Sequence, residues 1–105
     1  WLDAWQKKDF KKYIEFYSKK MKYRKKDSFK NFNWFKKYKR EIFKKAGQIQ
    51  IFASKINIAP YPNALNKELF LITFNEKYRS KTFNWTGQKT LIIELKNKTF
   101  QIILE

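Results

Sequence analysis

Residues 70–95 read F-L-I-T-F-N-E-K-Y-R-S-K-T-F-N-W-T-G-Q-K-T-L-I-I-E-L, two apolar runs around a polar middle. Each run alternates with period two, the spacing at which a strand sends side chains to opposite faces. Phe70, Ile72 and Phe74 share a face that continues through Glu76, Tyr78 and Ser80. On the return run Leu91, Ile93 and Leu95 share a face whose extension is Lys89. If both faces look inward, an apolar floor turns polar at one end, where Glu76, Tyr78, Ser80 and Lys89 converge. An apolar concavity with a few convergent polar groups is the common form of a ligand pocket.

Outward from this hairpin, Gln48–Ala59 alternates as a strand, with a change of phase near Phe52–Ala53 that suggests a bulge. Pro60-Tyr-Pro62-Asn-Ala is a loop. The strands of the hairpin are expected over Lys67–Arg79 and Thr82–Leu95, the second interrupted at Thr86-Gly87. Lys96-Asn97-Lys98 is a tight turn into a last strand, Thr99–Glu105.

The front of the chain reads as helical. Trp1, Leu2 and Trp5 have helical spacing, and Asp9 is a suitable N-cap for Phe10, Tyr13, Ile14 and Tyr17, with Phe16 widening the stripe. Met21–Lys26 is a basic connector. Asp27 or Ser28 then caps a longer helix ending near Ala46, with Gly47 as its stop. Phe32, Phe35, Tyr38, Ile42 and Phe43 form its apolar stripe, flanked by lysines including Lys39. Helices followed by a meander of about four strands give an α+β fold, helices packed on one face of an antiparallel sheet. The 105 residues suit one domain.

Composition restricts the chemistry. Cys and His are both absent, which excludes thiolate zinc sites, cysteine nucleophiles and the commonest general base. No metal or cofactor is expected. No apolar run approaches about 18 residues, so no membrane span is expected. The net charge is +16, and the first 45 residues hold 17 of the 25 basic side chains against 5 of the 9 acidic ones. A basic surface attracts anionic partners, although lysine, asparagine, isoleucine and phenylalanine are all plentiful here, as codon bias would also produce.

Three short stretches strengthen a resemblance to a known superfamily. Trp34–Gly47 resembles the long helix leading into the first strand of nuclear transport factor two–like proteins, cones in which a curved sheet and covering helices enclose a pocket. Phe74-Asn75-Glu76-Lys77-Tyr78-Arg79-Ser80 resembles that family's F-x-Q-x-Y-x-S strand, with Glu76 in place of Gln. Lys89-Thr90-Leu91 resembles the K-x-L that opens the next strand. The combination resembles the accessory domain of periplasmic peptidoglycan-trimming enzymes of the L,D-transpeptidase type, some of them L,D-carboxypeptidases that set helical cell shape. The resemblance implies a noncatalytic domain, part of a longer periplasmic enzyme, that presents peptidoglycan or a muropeptide to an attached catalytic domain. The chain opens directly in a helical pattern, as a fragment of such a protein would.

The candidate ligand-binding residues are Lys89, Tyr78, Glu76 and Ser80 on the sheet, Tyr13, Tyr17 and Trp34 on the helical side, and Tyr23 and Phe29 as a lip beside the basic connector. Lys89 in phase with Leu91 can lay its stem on apolar surface and hold its ammonium at the pocket mouth, or pair with Glu76 across the hairpin. An aromatic stripe such as Tyr13, Phe16 and Tyr17 is the ordinary pattern of a core, and Phe16 fits that reading best, whereas the amphipathic Tyr17 and Trp34 suit a wet wall. Two other functions compete. Lysines interleaved with aromatics could bind single-stranded nucleic acid, though no nucleic-acid motif is present and arginine is scarce. A small enzyme of the same cone fold would need a cavity carboxylate, and by phase only Glu76 looks inward.

Overall fold

Register settles which side chains share a face. In the computed structural model, which describes residues 1–105, β4 (Leu69–Arg79) and β5 (Asn84–Lys96) pair antiparallel. Ile72 lies opposite Leu91, Phe74 opposite Lys89, Glu76 opposite Gly87 and Tyr78 opposite Trp85. Directly opposed residues project to the same side, so Lys89, Glu76 and Tyr78 do share one face with the apolar floor. β5 runs through Thr86 and Gly87 without interruption. Gly87 lies under the Trp85 indole, where a Cβ would come within 2.6 Å of the ring.

The other elements, in chain order, are α1 (Leu2–Gln6), α2 (Phe10–Glu15), β1 (Tyr17–Lys25), β2 (Ser28–Lys30), α3 (Phe32–Lys45), β3 (Gln50–Pro60) and β6 (Thr99–Leu104). The curved, open sheet has six strands in the order β2-β1-β6-β5-β4-β3. β1 and β6 pair parallel, so the sheet is mixed rather than antiparallel throughout.

The extra strands lie where a helix end and a connector were expected. The Tyr13–Tyr17 spacing continues the helical stripe on paper, yet α2 ends at Glu15 and the Phe16 carbonyl accepts the Ile102 amide of β6 at 2.8 Å. From there Met21 and Tyr23 alternate inward against outward Lys22 and Arg24. Lys26, at φ 54°, and Asp27 turn the chain into β2, where Lys25 opposes Ser28. Ser28 thus belongs to a hairpin. The N-cap of α3 is Asn31, whose side chain accepts from the Trp34 amide at 3.0 Å. Asp9 caps α2 as expected, and Gly47 at φ 65° ends the α3 segment in the left-handed conformation that glycine adopts without strain.

The phase change in β3 falls at Ser54–Asn57, slightly beyond its expected place, with Lys55 at φ 52°. Ile51 and Ala53 before it, and Ile58 after it, face the same side as Tyr78, Glu76 and Ile72 respectively. Asn97 and Lys98, both at positive φ, form the two-residue β5–β6 turn.

The helices cover the inner face. Tyr13, Met21 and Phe35 are the most completely buried large side chains, packed with Trp5, Tyr17, Phe43, Phe74 and Leu91 in one core. Fully burying one such apolar side chain contributes roughly 1.5–3 kcal/mol. The Tyr13 and Phe43 rings meet at a tilt, 5.0 Å between centroids, and those of Tyr17 and Phe35 at 4.6 Å, which fixes α2 and α3 against β1. No helix is long and apolar enough to cross a membrane.

Candidate functional site

The shared inner face carries two hollows. An open groove of about 430 Å³ lies over its apolar part, floored by Ile72, Phe74, Leu91 and Ile93 and edged by Trp1. A second, of about 390 Å³, lies over the polar part and is lined by Glu76, Tyr78 and Lys89 from the sheet, Tyr23 from β1, and Tyr38 and Lys39 from α3. Trp5, Phe83 and Trp85 complete its apolar walls. Trp1, which edges the groove, meets Trp5, which lines the polar hollow, edge to face at 5.2 Å.

Four of the expected site residues therefore meet in one hollow: Lys89, Tyr78, Glu76 and Tyr23. The others do not. Ser80 closes the β4–β5 turn, donating to the Phe83 carbonyl and accepting from its amide, both at 3.1 Å. Phe29 sits on the short edge strand β2 and is exposed. Trp34 stacks on Tyr38 at 4.9 Å, behind the wall that Tyr38 presents, under the ammonium groups of Lys25 and Lys30. Tyr13 and Tyr17 lie in the core rather than on a wall. Burial pushes both hydroxyls well above the usual tyrosine pKa. Tyr17 Oη joins three groups: it donates to Glu105 Oε1 at 2.5 Å, accepts from Trp1 Nε1 at 2.8 Å, and lies 3.0 Å from Tyr13 Oη.

Two charged residues that the strand phasing did not select complete the site. Glu105 follows β6, where Ile93 opposes Ile102 but Ile92 opposes Leu104, leaving Ile103 as an unopposed extra residue. That bulge reverses the phase and turns Glu105 inward. Its Oε2 lies 3.0 Å from Lys89 Nζ, so the partner of Lys89 is Glu105 and not Glu76. Burial favours a neutral Glu105, but Lys89, Lys39 and the Tyr17 hydroxyl outweigh it and hold the carboxyl below the usual glutamate range. Burial alone would lower Lys89; the Glu105 and Glu76 carboxylates overcome it and raise it instead.

Lys39 is the second. It lies between Phe35 and Phe43 at successive four-residue steps, in the middle of the apolar stripe of α3, and is only 5 % exposed. Its Nζ lies 4.8 Å from the Trp5 ring centre and within 6 Å of the Tyr23 and Tyr38 rings (5.9 and 5.7 Å), cation–π distances. No carboxylate stands within ion-pair distance of it. Burial lowers its pKa to about 8. Glu76 is 3 % exposed, with Oε2 unpartnered, and burial raises its carboxyl above the usual value. Trp5 Nε1 is also buried without an acceptor. The hollow therefore combines one neutralised ion pair with a buried cation, a buried carboxyl oxygen and an indole N–H that lack partners. No cluster of three or more Asp or Glu side chains could hold a metal ion.

The fold has known counterparts. All 105 residues match the family model of the Cds6 C-terminal NTF2-like domain, NTF2 being nuclear transport factor two. The chain belongs to this family. A lysine-to-alanine mutant of the helical cell shape determining protein Pgp2 from Campylobacter jejuni superposes with a TM-score of 0.85 at 30% identity, over 96% of this chain and 34% of that one. Bd1075 from Bdellovibrio bacteriovorus superposes at 0.83 with 23% identity, over 99% of this chain and 34% of that one. A putative dehydratase of the NTF2-like family from Streptomyces avermitilis gives 0.81 at 10% identity, over 98% of this chain and 83% of that one, a likeness of fold alone. The chain thus spans about a third of the length of Pgp2 and Bd1075. No curated protein sequence matches it significantly. The NTF2-like domain is homologous to part of Pgp2, and its sheet has six strands where about four were expected.

Proposed function

We propose that this domain is a noncatalytic peptidoglycan-binding module that holds cell-wall substrate for an attached L,D-carboxypeptidase or transpeptidase domain in the periplasm. One observation carries the reading: the buried Lys39 ammonium has no carboxylate partner and faces an aromatic-walled hollow beside Lys89. A buried charge is retained at a cost unless something compensates it, and a carboxylate entering the hollow would do so. Peptidoglycan stem peptides are rich in carboxylates. The aromatic walls suit the apolar parts of a stem or the C–H faces of a sugar.

Homology to a protein described as determining helical cell shape supports a role in shape control. Tethering a substrate site to a catalytic domain raises the local substrate concentration without new chemistry. The domain itself contributes no nucleophile of the Cys–His type, since it has neither residue.

The test is retention on insoluble peptidoglycan. The wild-type chain is expected to sediment with purified sacculi, while Lys39→Met and Tyr78→Ala, checked for folding by circular dichroism, remain in solution. A wild type that stays in the supernatant would refute the proposal.

A further inference from the structure

The polar hollow is lined by complementary charged groups. Lys89 is matched by Glu105 at 3.0 Å. Lys39 and Glu76 remain: each is buried, both line the hollow, and neither forms an ion pair with the other or with any other residue. Glu76 Oε2 is an acceptor without a donor, and Trp5 Nε1 a donor without an acceptor. Buried polar groups in folded proteins almost always have partners, so the partners of these belong to what fills the hollow.

A ligand with only a carboxylate would satisfy Lys39 and Trp5 but bring negative charge near Glu76. A ligand with only an ammonium would satisfy Glu76 and crowd Lys39. One group answers both needs with no net charge: an α-amino-acid head, with ammonium and carboxylate on a single carbon. We infer that the hollow formed by Lys39, Glu76 and Trp5 binds such a zwitterionic head at the end of a side chain. The inference rests on the peptidoglycan reading above and narrows it to stems whose third residue is a diamino acid with a free carboxylate at its far end. The volume favours this over a disaccharide, since about 390 Å³ lies near the lower limit of small-molecule sites, roughly 300–1,000 Å³. The aliphatic carbons between head and backbone would lie between the Tyr78 and Tyr38 rings. Burial opposes both charges, and the zwitterion offsets that opposition.

The experiment is a calorimetric titration of the chain with four soluble tripeptides. The first is L-alanyl-γ-D-glutamyl-meso-diaminopimelate. The second has its far carboxylate amidated, the third has its far amine acetylated, and the fourth has L-lysine in place of the diamino acid. All four keep the glutamyl carboxylate and the third residue's backbone carboxylate. The first is expected to bind, and the other three to bind about tenfold or more weakly, the scale of a lost charge-assisted hydrogen bond. Lys39→Met should lose discrimination between acid and amide, and Glu76→Gln between free and acetylated amine. Equal binding of all four tripeptides would overturn the zwitterion site while leaving peptidoglycan binding intact. No tripeptide binding, with sacculi still retained, would overturn it too and place the glycan elsewhere. Loss of both would end the two readings together. The wild-type comparison decides the matter even if a variant fails to fold.

Discussion

Lys89 Nζ and Glu105 Oε2 stand 3.0 Å apart, with 17 % of the lysine side chain and 2 % of the glutamate side chain exposed. The pair joins the middle of β5 to the residue after β6, and Tyr17 Oη reaches the other carboxylate oxygen. Lys89 is therefore first a structural cation, and its ammonium is already neutralised before any ligand arrives.

Breaking this pair should be costly. Removing one member of a buried ion pair leaves an uncompensated charge, a loss of about 3–5 kcal/mol, against a total stability on the order of 5–15 kcal/mol. Lys89→Met and Glu105→Gln are each expected to lower the urea midpoint substantially, and the double variant to cost less than the sum of the two. The pH sign follows from Glu105. Its folded-state pKa lies below the usual value, so its contribution is complete above the usual glutamate range and is lost as pH falls through the folded value. Additive single effects, each below about 1 kcal/mol, would show that the pair is solvated.

Tyr17→Phe keeps the ring and removes only the hydroxyl. Glu105 Oε1 and Trp1 Nε1 would both lose their partner. The expected cost is about 2–3 kcal/mol, because one of the lost bonds ends on a charged group. Tyr13→Phe loses a single neutral contact, with Tyr17 Oη at 3.0 Å, and should cost about 1 kcal/mol. Denaturant titration of the two variants checks the order; a larger effect at Tyr13 would mean that Tyr17 is not the centre of the network.

How far the site could be read from the chain depended on parity. Within each of the two strands, Leu69–Arg79 and Asn84–Lys96, nothing breaks the alternation, so Glu76, Tyr78 and Lys89 could be placed on one face by counting, and the register agrees. Counting fails at a bulge: the extra residue at Ile103 reverses the phase and hides Glu105. β1 was hidden for another reason. Tyr13 and Tyr17 are four apart, as on a helix, while Met21-Lys22-Tyr23-Arg24 alternates with lysines frequent enough to look like a solvated linker. Lys39 could have been found. A lysine four residues from Phe35 on one side and Phe43 on the other stands at a core position, and a charge at such a position is a reason to look for a partner.

The net charge of +16 predicts weak, salt-sensitive adhesion to any polyanion. A pocket that takes one small, internally neutral group should behave differently. Stem-peptide affinity is expected to change less than about threefold between about 50 and 300 mM salt, while retention of a single-stranded oligonucleotide falls steeply over the same range. Fluorescence anisotropy with labelled forms of each ligand measures both. Oligonucleotide binding that survives the higher salt, with no stem binding at either, would favour the nucleic-acid alternative.

Lys39 links stability to binding, with opposite signs. Burial lowers its pKa to about 8 in the folded chain, against 10.5 when exposed. Below about 8 both folded and unfolded states carry the proton and the full penalty of the buried charge applies. Between about 8 and 10.5 the unfolded chain binds a proton that the folded chain does not, so stability rises with pH, by on the order of 3 kcal/mol in all. Lys39→Met, free of that penalty, should be more stable than wild type at pH ~7, and the gap should close as the wild type is made alkaline. Comparing the two chains cancels the other lysines and tyrosines that titrate in this window. A ligand carboxylate needs the protonated amine, so affinity should be complete below about 8 and weaken as pH rises through that value. Urea unfolding and tripeptide titration at matched pH values measure the two effects. A stability gap that stays constant up to about 10.5 would mean that the Lys39 ammonium is hydrated in the folded chain.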